Sequence, residues 1–268
     1  MYKPEKPIDR MFDKSYVIVT AHRGYSSSYP QNTLLAFEKA LELDVDMVEF
    51  DINMTKDKTP VIIHNTTVDA TTDGSGPVRS FTLEQLRQLD AGCKFDRGQY
   101  AGQRIPTLKE LLDLLDPARY LLLNVEIKDY AFETVDASME LIRQYPGLVD
   151  RCIFTCFNAR VLDYMTDRYR VRTQGFLARH MSDFAQGKAG SYSKMDALCL
   201  FDDEITREYS NWVEDMGIVP FGCCPDDEAS ARHELEEGAR LVTCNNPVPA
   251  LELYTKLGLR EHPLKYRE

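Results

Sequence analysis

The stretch Met47-Val-Glu-Phe-Asp-Ile-Asn53 has the length and apolar content of one strand in a buried parallel sheet. Its two carboxylates, Glu49 and Asp51, are two residues apart, so the alternation of side chains along a strand places both on the same side of the sheet. Runs of the same kind recur at residues 16–21, 120–127, 152–156, 172–177, 197–201, 218–222 and 240–243. Each run ends where a polar or small residue follows. The sequence therefore predicts eight short strands.

Longer amphipathic stretches separate these strands. In residues 34–41 the apolar side chains recur at the helical period and cluster on one face. Similar patterns predict helices at 132–144, 159–168, 205–216, 227–237 and 250–257, and a weaker pattern covers 181–189. Short polar side chains suited to capping stand near four helix starts: Thr33, Asn158, Thr206 and Asp226. The alternation predicts an α/β fold, a parallel (β/α)8 TIM barrel.

The chain has 268 residues, and barrels of this kind commonly occupy about 250 residues as one domain. We therefore expect a single domain over residues 1–268. The segment 55–118, between the second and third barrel strands, is much longer than a crossover helix requires, so it predicts a small insertion. Within it lie a strand-like run at 60–64, a turn-rich stretch at 73–77, and predicted helices at 82–89 and 107–115.

The charge of the chain limits its partners. The sequence has 32 Lys and Arg against 43 Asp and Glu, a formal charge of -11, which repels nucleic acid at long range. The same charge disfavours a small anionic substrate unless a local cation or an arginine reverses the sign inside the pocket. A soluble, metal-containing protein without a nucleic-acid partner is therefore expected.

Targeting signals and a disulfide framework are not predicted. Neither an apolar leader after Met1 nor a run of about 20 apolar residues occurs in the sequence, so we expect a cytoplasmic protein without a membrane span. The seven cysteines include the adjacent pair Cys223 and Cys224. Their odd number and irregular spacing fit reduced thiols. Trp212, the single tryptophan, is expected in the core, and the sequence does not predict an oligomeric state.

Residues that can carry chemistry fall at the carboxyl ends of the predicted strands, where barrel enzymes place their active sites. The set comprises His22, Arg23, Glu49, Asp51, His64, Glu126 and Lys128. Taken singly, a strand carboxylate is more often on the surface and a loop histidine is more often a simple hydrogen-bonding group. The conjunction of all seven in consecutive units argues for a site. Buried carboxylates that converge require protonation or a hard divalent cation, and oxygen ligands suit Mg²⁺, Ca²⁺ or Mn²⁺.

An ordered series of motifs resembles the glycerophosphodiester phosphodiesterase family. The series is Ala21-His-Arg-Gly24, Tyr29-Pro-Gln-Asn-Thr33, Leu35-Ala-Phe37, Val48-Glu-Phe-Asp51, Thr55-Lys-Asp57, Pro60-Val-Ile-Ile-His64, Thr71-Thr-Asp-Gly74, Leu89-Asp-Ala-Gly92, Ile105-Pro-Thr-Leu108 and Asn124-Val-Glu-Ile-Lys128. The likeness is strong over 17–128 and thinner afterwards, in Phe154-Thr-Cys-Phe-Asn158 and 237–243. Such an ordered series is highly specific, and it implies the same barrel and the same insertion.

The resemblance also implies roles for single residues. Glu49, Asp51 and Glu126 would bind one divalent cation, Mg²⁺ or Ca²⁺ with Mn²⁺ as a further candidate. His22 and His64 would form the acid and base pair, and Arg23 and Lys128 would bind phosphate oxygens. The expected substrate is a small glycerophosphodiester, which would be hydrolysed to glycerol 3-phosphate and an alcohol.

Three departures from the family pattern concern the substrate. Gln31 stands where the family has a carboxylate, so a positioning role for Gln31 and Asn32 is expected in place of a ligand. Phe221-Gly-Cys-Cys-Pro225 replaces a block with tryptophan, which predicts loss of an aromatic wall, and Thr243-Cys-Asn-Asn-Pro247 alters a late block. Two alternatives remain open here: a sphingomyelinase D-like phospholipase, and a barrel that binds phosphodiesters without turnover.

Overall fold

The computed structural model describes residues 5–201 and 203–260. The ends of the predicted domain, residues 1–4 and 261–268, lie outside the described residues, and so does the predicted absence of a leader after Met1. Within the described ranges, no helix has the length and apolar character needed to cross a membrane.

Eight parallel strands close into a barrel. With one further strand outside the barrel, β3, the strands of the described residues are β1 (Ile18–His22), β2 (Met47–Met54), β3 (Pro60–Ile62), β4 (Leu122–Ile127), β5 (Cys152–Thr155), β6 (Arg172–Phe176), β7 (Ala197–Leu200), β8 (Val219–Cys223) and β9 (Leu241–Cys244). All pairings around the barrel are parallel, and β1 pairs with both β2 and β9, which completes the closure. The short β3 is antiparallel to β2 and lies outside the ring. The predicted (β/α)8 fold is confirmed.

The helices among the described residues are α1 (Leu34–Glu42), α2 (Leu83–Leu86), α3 (Leu108–Leu115), α4 (Phe132–Ile142), α5 (Ala159–Tyr169), α6 (Arg207–Asp215), α7 (Glu228–Glu236) and α8 (Val248–Lys256). Thr33, Asn158 and Thr206 cap α1, α5 and α6 as predicted. The cap of α7 is Asp227, so the prediction of Asp226 was wrong. The Asp226 carboxylate instead accepts hydrogen bonds from Asn245 and Asn246.

The weak helix predicted at 181–189 was wrong as well. The connection between β6 and β7 contains two 3-10 turns, Ala178–His180 and Ser191–Lys194. Asp183 has φ 53° and Gly187 has φ 96°, which a right-handed helix does not allow. Apolar spacing alone predicted a helix there, and the local backbone interrupts it.

The insertion has an apolar core of its own, formed by Val61, Ile63, Val68, Val78, Leu86, Ala91 and Ile105. Its strand β3 pairs with the second half of β2, where Ile52 lies opposite Ile62. The Ile63 amide then donates to the Asp51 carbonyl at 3.0 Å. This pairing directs the following residue, His64, toward the carboxyl end of the barrel.

The main core lies inside the barrel wall and between the wall and its helices. Phe37 of α1 meets Phe50 of β2 edge to face, with ring centroids 6.3 Å apart, which attaches the first helix to the second strand. Trp212 was predicted to be core, but its residue is 39% exposed on α6, where the indole contacts Tyr192 and Tyr209 edge-on. All seven cysteines are unpaired thiols, as predicted.

Candidate active site

The seven candidate residues meet at the carboxyl end of the barrel. Strand register brings them together, because His22 of β1 lies opposite Glu49 of β2, and Asp51 lies opposite Glu126 of β4. Arg23 and Lys128 follow their strands directly. A cavity of about 350 Å³ opens there, and its walls include all the candidates except Asp51, which lies buried behind them.

Three buried carboxylates converge at the floor of the site. Glu49, Asp51 and Glu126 each present one oxygen, and these oxygens lie within 4.8 Å of one another. Glu49 Oε1 and Asp51 Oδ1 are buried and accept no hydrogen bond from the described residues. A buried acceptor without a partner is costly, and oxygen lone pairs of this kind fit a hard divalent cation. The donor set can therefore hold a metal ion.

The carboxylates do not share their negative charge equally. Burial, and then the charge of Asp51, raises the pKa of Glu49 well above its usual value. The same two causes raise the pKa of Glu126 to about 7. Burial opposes ionisation of Asp51 as well, but the cations Arg23 and Lys128 outweigh it and lower the Asp51 pKa. Without a metal, Asp51 therefore stays ionised, and its negative charge favours the protonated forms of Glu49 and Glu126.

Arg23 occupies a tight backbone position between these carboxylates. Its φ is 57°, and its amide donates to the Glu49 carbonyl at 2.9 Å and to Glu49 Oε2 at 3.1 Å. Its Nε lies 3.1 Å from Asp51 Oδ2. The next residue, Gly24, has φ 80°, and a Cβ there would lie 2.6 Å from the Ala36 carbonyl carbon. The turn therefore requires glycine after Arg23.

Gln31 and Asn32 form hydrogen bonds with the charged groups of the site. Arg23 Nη1 donates to Gln31 Oε1 at 2.7 Å, and Asn32 Nδ2 donates to Asp51 Oδ2 at 2.7 Å. Gln31 therefore contacts the guanidinium of Arg23. Asn32 fixes one Asp51 oxygen, and the other accepts no hydrogen bond from the described residues.

Lys128 is held by two carboxylates and one ring. Its Nζ lies 2.6 Å from Glu126 Oε1, 3.8 Å from Asp51 Oδ1 and 5.3 Å from the Phe157 ring centroid. Burial disfavours the ammonium, but Glu126 and then Asp51 raise the pKa of Lys128 above its usual value. The ammonium is therefore fixed and charged at the cavity wall.

The two histidines have defined ring orientations. His22 Nδ1 lies 2.8 Å from Asn245 Oδ1, and Asn245 Nδ2 donates to Asp226 Oδ2 at 2.8 Å. Because a carboxylate can only accept, Asp226 fixes the amide so that its oxygen faces His22, and His22 Nδ1 carries the proton. His22 Nε2 then lies 3.8 Å from Glu49 Oε2.

His64 bonds through Nδ1 to Asn65 Oδ1 at 2.6 Å. Burial lowers the pKa of His64 despite the charge of Asp51. Both rings line the same cavity, so the predicted pair shares one space with the carboxylates.

Sequence reasoning missed the aromatic side of the cavity. Phe157 and Phe176 stack with ring centroids 3.7 Å apart, and Phe176 and Phe201 stack at 5.6 Å. All three line the cavity, so it has an aromatic side although β8 contributes no ring to it, as the replaced tryptophan block predicted. Phe221 points into the core instead, and phenylalanines at or just beyond the ends of β5, β6 and β7 form the wall. Their place after three consecutive strands was the available signal.

The cavity floor also contains a neutral polar group that was not predicted. Thr155 Oγ1 donates to Asn124 Oδ1 at 2.5 Å, and Asn124 Nδ2 donates to Gln174 Oε1 at 3.1 Å. Asn124 is two residues before Glu126 on β4, so strand alternation could have placed it on the same face. The three side chains therefore hydrogen-bond to one another and form a neutral part of the floor, separate from the charged groups.

Comparison with known proteins agrees with this geometry. A sequence model of the glycerophosphoryl diester phosphodiesterase family matches residues 22–207. A glycerophosphodiester phosphodiesterase of Caldanaerobacter subterraneus subsp. tengcongensis is 40% identical over 253 residues, which cover 90% of this chain and 99% of that protein. A phosphodiesterase from Oleispira antarctica, solved with the product sn-glycerol-3-phosphate, has a TM-score of 0.76 and 25% identity over 90% of this chain and 96% of that one. A glycerophosphodiester phosphodiesterase structure from Agrobacterium tumefaciens has a TM-score of 0.72 and 21% identity over 88% and 99%.

The closed barrel, its acidic cluster and these relatives define a phosphoric diester hydrolase. Because the family sequence model spans most of the chain and the Caldanaerobacter relative matches nearly end to end, the family is established. The chain belongs to the glycerophosphodiester phosphodiesterase family. The resemblance stated from the motifs is confirmed, and it favours the first of the three functional interpretations.

Proposed function

We propose that this protein hydrolyses glycerophosphodiesters to glycerol 3-phosphate and an alcohol, with a divalent cation held by Glu49, Asp51 and Glu126. The observation that carries the proposal is the cluster of three buried carboxylates, two of whose oxygens accept no hydrogen bond from the described residues, next to a cavity that two histidines line. The product named for the Oleispira relative supports the choice of substrate.

Arg23 and Lys128 are proposed to bind the non-bridging oxygens of the phosphate. A phosphodiester is a poor electrophile until those oxygens are neutralised, and a guanidinium also fixes their orientation. Gln31 holds the Arg23 guanidinium, and Glu126 holds the Lys128 ammonium. Both cations are therefore positioned before the substrate arrives. A bound divalent cation would supply further neutralisation of the phosphate charge.

His22 and His64 are proposed to transfer protons on opposite sides of phosphorus. The proton fixed on His22 Nδ1 leaves Nε2 free to accept one, which suits a base. Burial keeps the pKa of His64 low, so its imidazolium is a strong acid toward a departing alcohol. In this route the neighbouring glycerol hydroxyl attacks phosphorus first, and water then opens the cyclic phosphate.

The oxygen ligands favour Mg²⁺, Ca²⁺ or Mn²⁺ over softer metals. Substrates are proposed to be small glycerophosphodiesters, whose alcohol would face the wall of Phe157, Phe176 and Phe201. The rings offer an apolar surface to this part of the substrate.

The test is release of glycerol 3-phosphate from a panel of glycerophosphodiesters, with chelator and then with each of the three cations. We expect metal-restored turnover that His22→Ala and Glu49→Gln abolish. His233→Ala is the matched control, because His233 is exposed on α7 and outside the cavity. Turnover that is unchanged by chelator, or retained in both site variants, would refute the proposed chemistry.

A further inference from the structure

Three thiols line the same cavity as the carboxylates. Cys199 lies on β7, Cys223 ends β8, and Cys224 follows it. They stand beside His22, so the pocket has a hard oxygen floor and a soft sulfur wall. The proposed hydrolysis uses none of these sulfur atoms.

The thiols form a connected series. Cys223 Sγ and Cys224 Sγ lie 3.4 Å apart. Cys199 and the His22 imidazole line the cavity beside them, close enough to shift the pKa values of Cys223 and Cys224 respectively. Cys224 has φ 71°, and its amide donates to the Thr243 carbonyl at 2.6 Å. The turn therefore directs two adjacent side chains into the cavity on the same side.

We propose that Cys223 and Cys224 bind a thiophilic metal cation, with the His22 imidazole as a third donor. Two sulfurs bound tetrahedrally to one ion at about 2.3 Å lie about 3.8 Å from each other. The observed separation of 3.4 Å needs to widen by only a few tenths of an ångström. Cys199 or water can complete the coordination. Soft thiolates select ions such as Cd²⁺ and Zn²⁺, whereas the carboxylates select hard ions.

Binding is a simple exchange of protons for metal. Each thiol loses its proton as a metal–sulfur bond forms, two protons enter solvent, and no electron is transferred. The contact with Cys199 and burial raise the pKa of Cys223, and the contact with Cys223 and burial raise that of Cys224. Protonated thiols oxidise slowly, so the pair should stay reduced and available to a cation, which must displace their protons as it binds.

A disulfide between the two residues is also disfavoured by geometry. Adjacent Cα atoms across a trans peptide are about 3.8 Å apart, below the usual disulfide range of about 4.4–6.8 Å. Ligation needs no sulfur–sulfur bond and therefore avoids this constraint.

A cation in this position would inhibit the enzyme. If His22 binds it, the imidazole lone pair is no longer available for proton transfer. The inhibition rests on the proposed function of His22, whereas the binding does not. Hard ions would thus activate and soft ions would inhibit through two faces of one cavity.

The probe is Cd²⁺, titrated into the protein in saturating Mg²⁺ and followed by thiolate-to-cadmium absorption in the near ultraviolet. Activity is measured on the same samples. We expect one equivalent to saturate the absorption and to remove most of the activity. The double variant Cys223→Ser/Cys224→Ser should lose the absorption and keep its activity in Cd²⁺. Cys224→Ser alone provides a milder second variant, and Cys93→Ser, in the insertion, is the matched control.

Absorption that persists in the double variant, or equal inhibition of that variant, would place the cation elsewhere and overturn the proposal. Glu49→Gln separates the two sites, since it should keep the absorption although it lacks a carboxylate ligand. Absorption without any hydrolysis by the untreated protein would refute the proposed function and leave the thiol site standing. Absorption without inhibition would overturn the regulatory role.

Discussion

Replacing Glu126 with glutamine should stabilise the metal-free protein at neutral and higher pH. Glu126 is buried beside Asp51, and burial together with that charge raises its pKa from 4.5 to about 7. The folded state therefore holds a proton on Glu126 that the unfolded chain releases. Glutamine keeps the size of the side chain but has no proton to lose.

The size of the effect follows from the pKa interval. Between pH 4.5 and about pH 7 the folded state binds more protons than the unfolded chain, so the free energy of unfolding falls as pH rises. At about 1.4 kcal/mol per pH unit, this interval corresponds to a loss of about 3 kcal/mol, which is complete above the folded pKa. The attraction of Lys128 is already included in that pKa. Glu49 also has a raised pKa, so in the variant the free energy of unfolding should still fall as pH rises, but less steeply than in the wild type.

The assay is urea unfolding of both proteins in chelator, between about pH 5 and pH 8. The two should differ little at the acidic end and by about 3 kcal/mol at the basic end, with the variant more stable. In saturating Mg²⁺ the order should reverse, because the wild type gains more from metal binding. Identical pH dependence in chelator would refute the raised pKa of Glu126. A wild type that Mg²⁺ fails to stabilise would refute the metal site.

Further predictions concern the residues around the carboxylates. His64→Gln should lower kcat by about 10²–10⁴-fold while metal affinity, measured by calorimetry, stays the same; a matching loss of metal affinity would contradict an acid-base role. Asn245→Ala should lower kcat by about 10–100-fold while metal affinity stays the same, because it removes the acceptor that orients the His22 ring. An unchanged kcat would show that Asn245 does not position His22. Gln31→Glu should raise KM by about tenfold, equivalent to about 1.4 kcal/mol, because a new carboxylate competes with phosphate for Arg23; an unchanged KM would show that Gln31 does not position the guanidinium.

The strands could be predicted from the sequence because a parallel barrel buries both faces of each one. Every residue of β2 is buried, and so is every residue of β4, which is why short apolar runs located them. The side of the sheet that carries Glu49 and Asp51 then followed from alternation alone. Cap residues such as Thr33 were also predictable, since the capping bond is local in sequence.

The parts that were missed depend on contacts distant in sequence. Asp226 has the local sequence context of a helix cap, but its carboxylate accepts a hydrogen bond from Asn245, 19 positions later. The Phe157, Phe176 and Phe201 wall comes from three strands and has no motif of its own. Trp212 lies on an amphipathic helix, yet its exposed ring packs on two half-buried tyrosines, Tyr192 and Tyr209. Contacts between residues this far apart in the chain cannot be read from a single sequence.

The net charge of the site explains why its carboxylates destabilise the metal-free protein and why a metal and a phosphodiester should bind together. Glu49, Asp51 and Glu126, if all ionised, exceed Arg23 and Lys128 by one negative charge, and a bound phosphodiester would add another. Protonation of Glu126 relieves the free protein, but a protonated carboxyl group is a poor ligand for a cation. A divalent cation removes both excess charges at once and needs the carboxylates ionised. Burial is the largest cause of the raised pKa values of Glu49 and Glu126, and the charge of Asp51 is the second. Metal and substrate together would cancel the excess charge, so each should strengthen binding of the other.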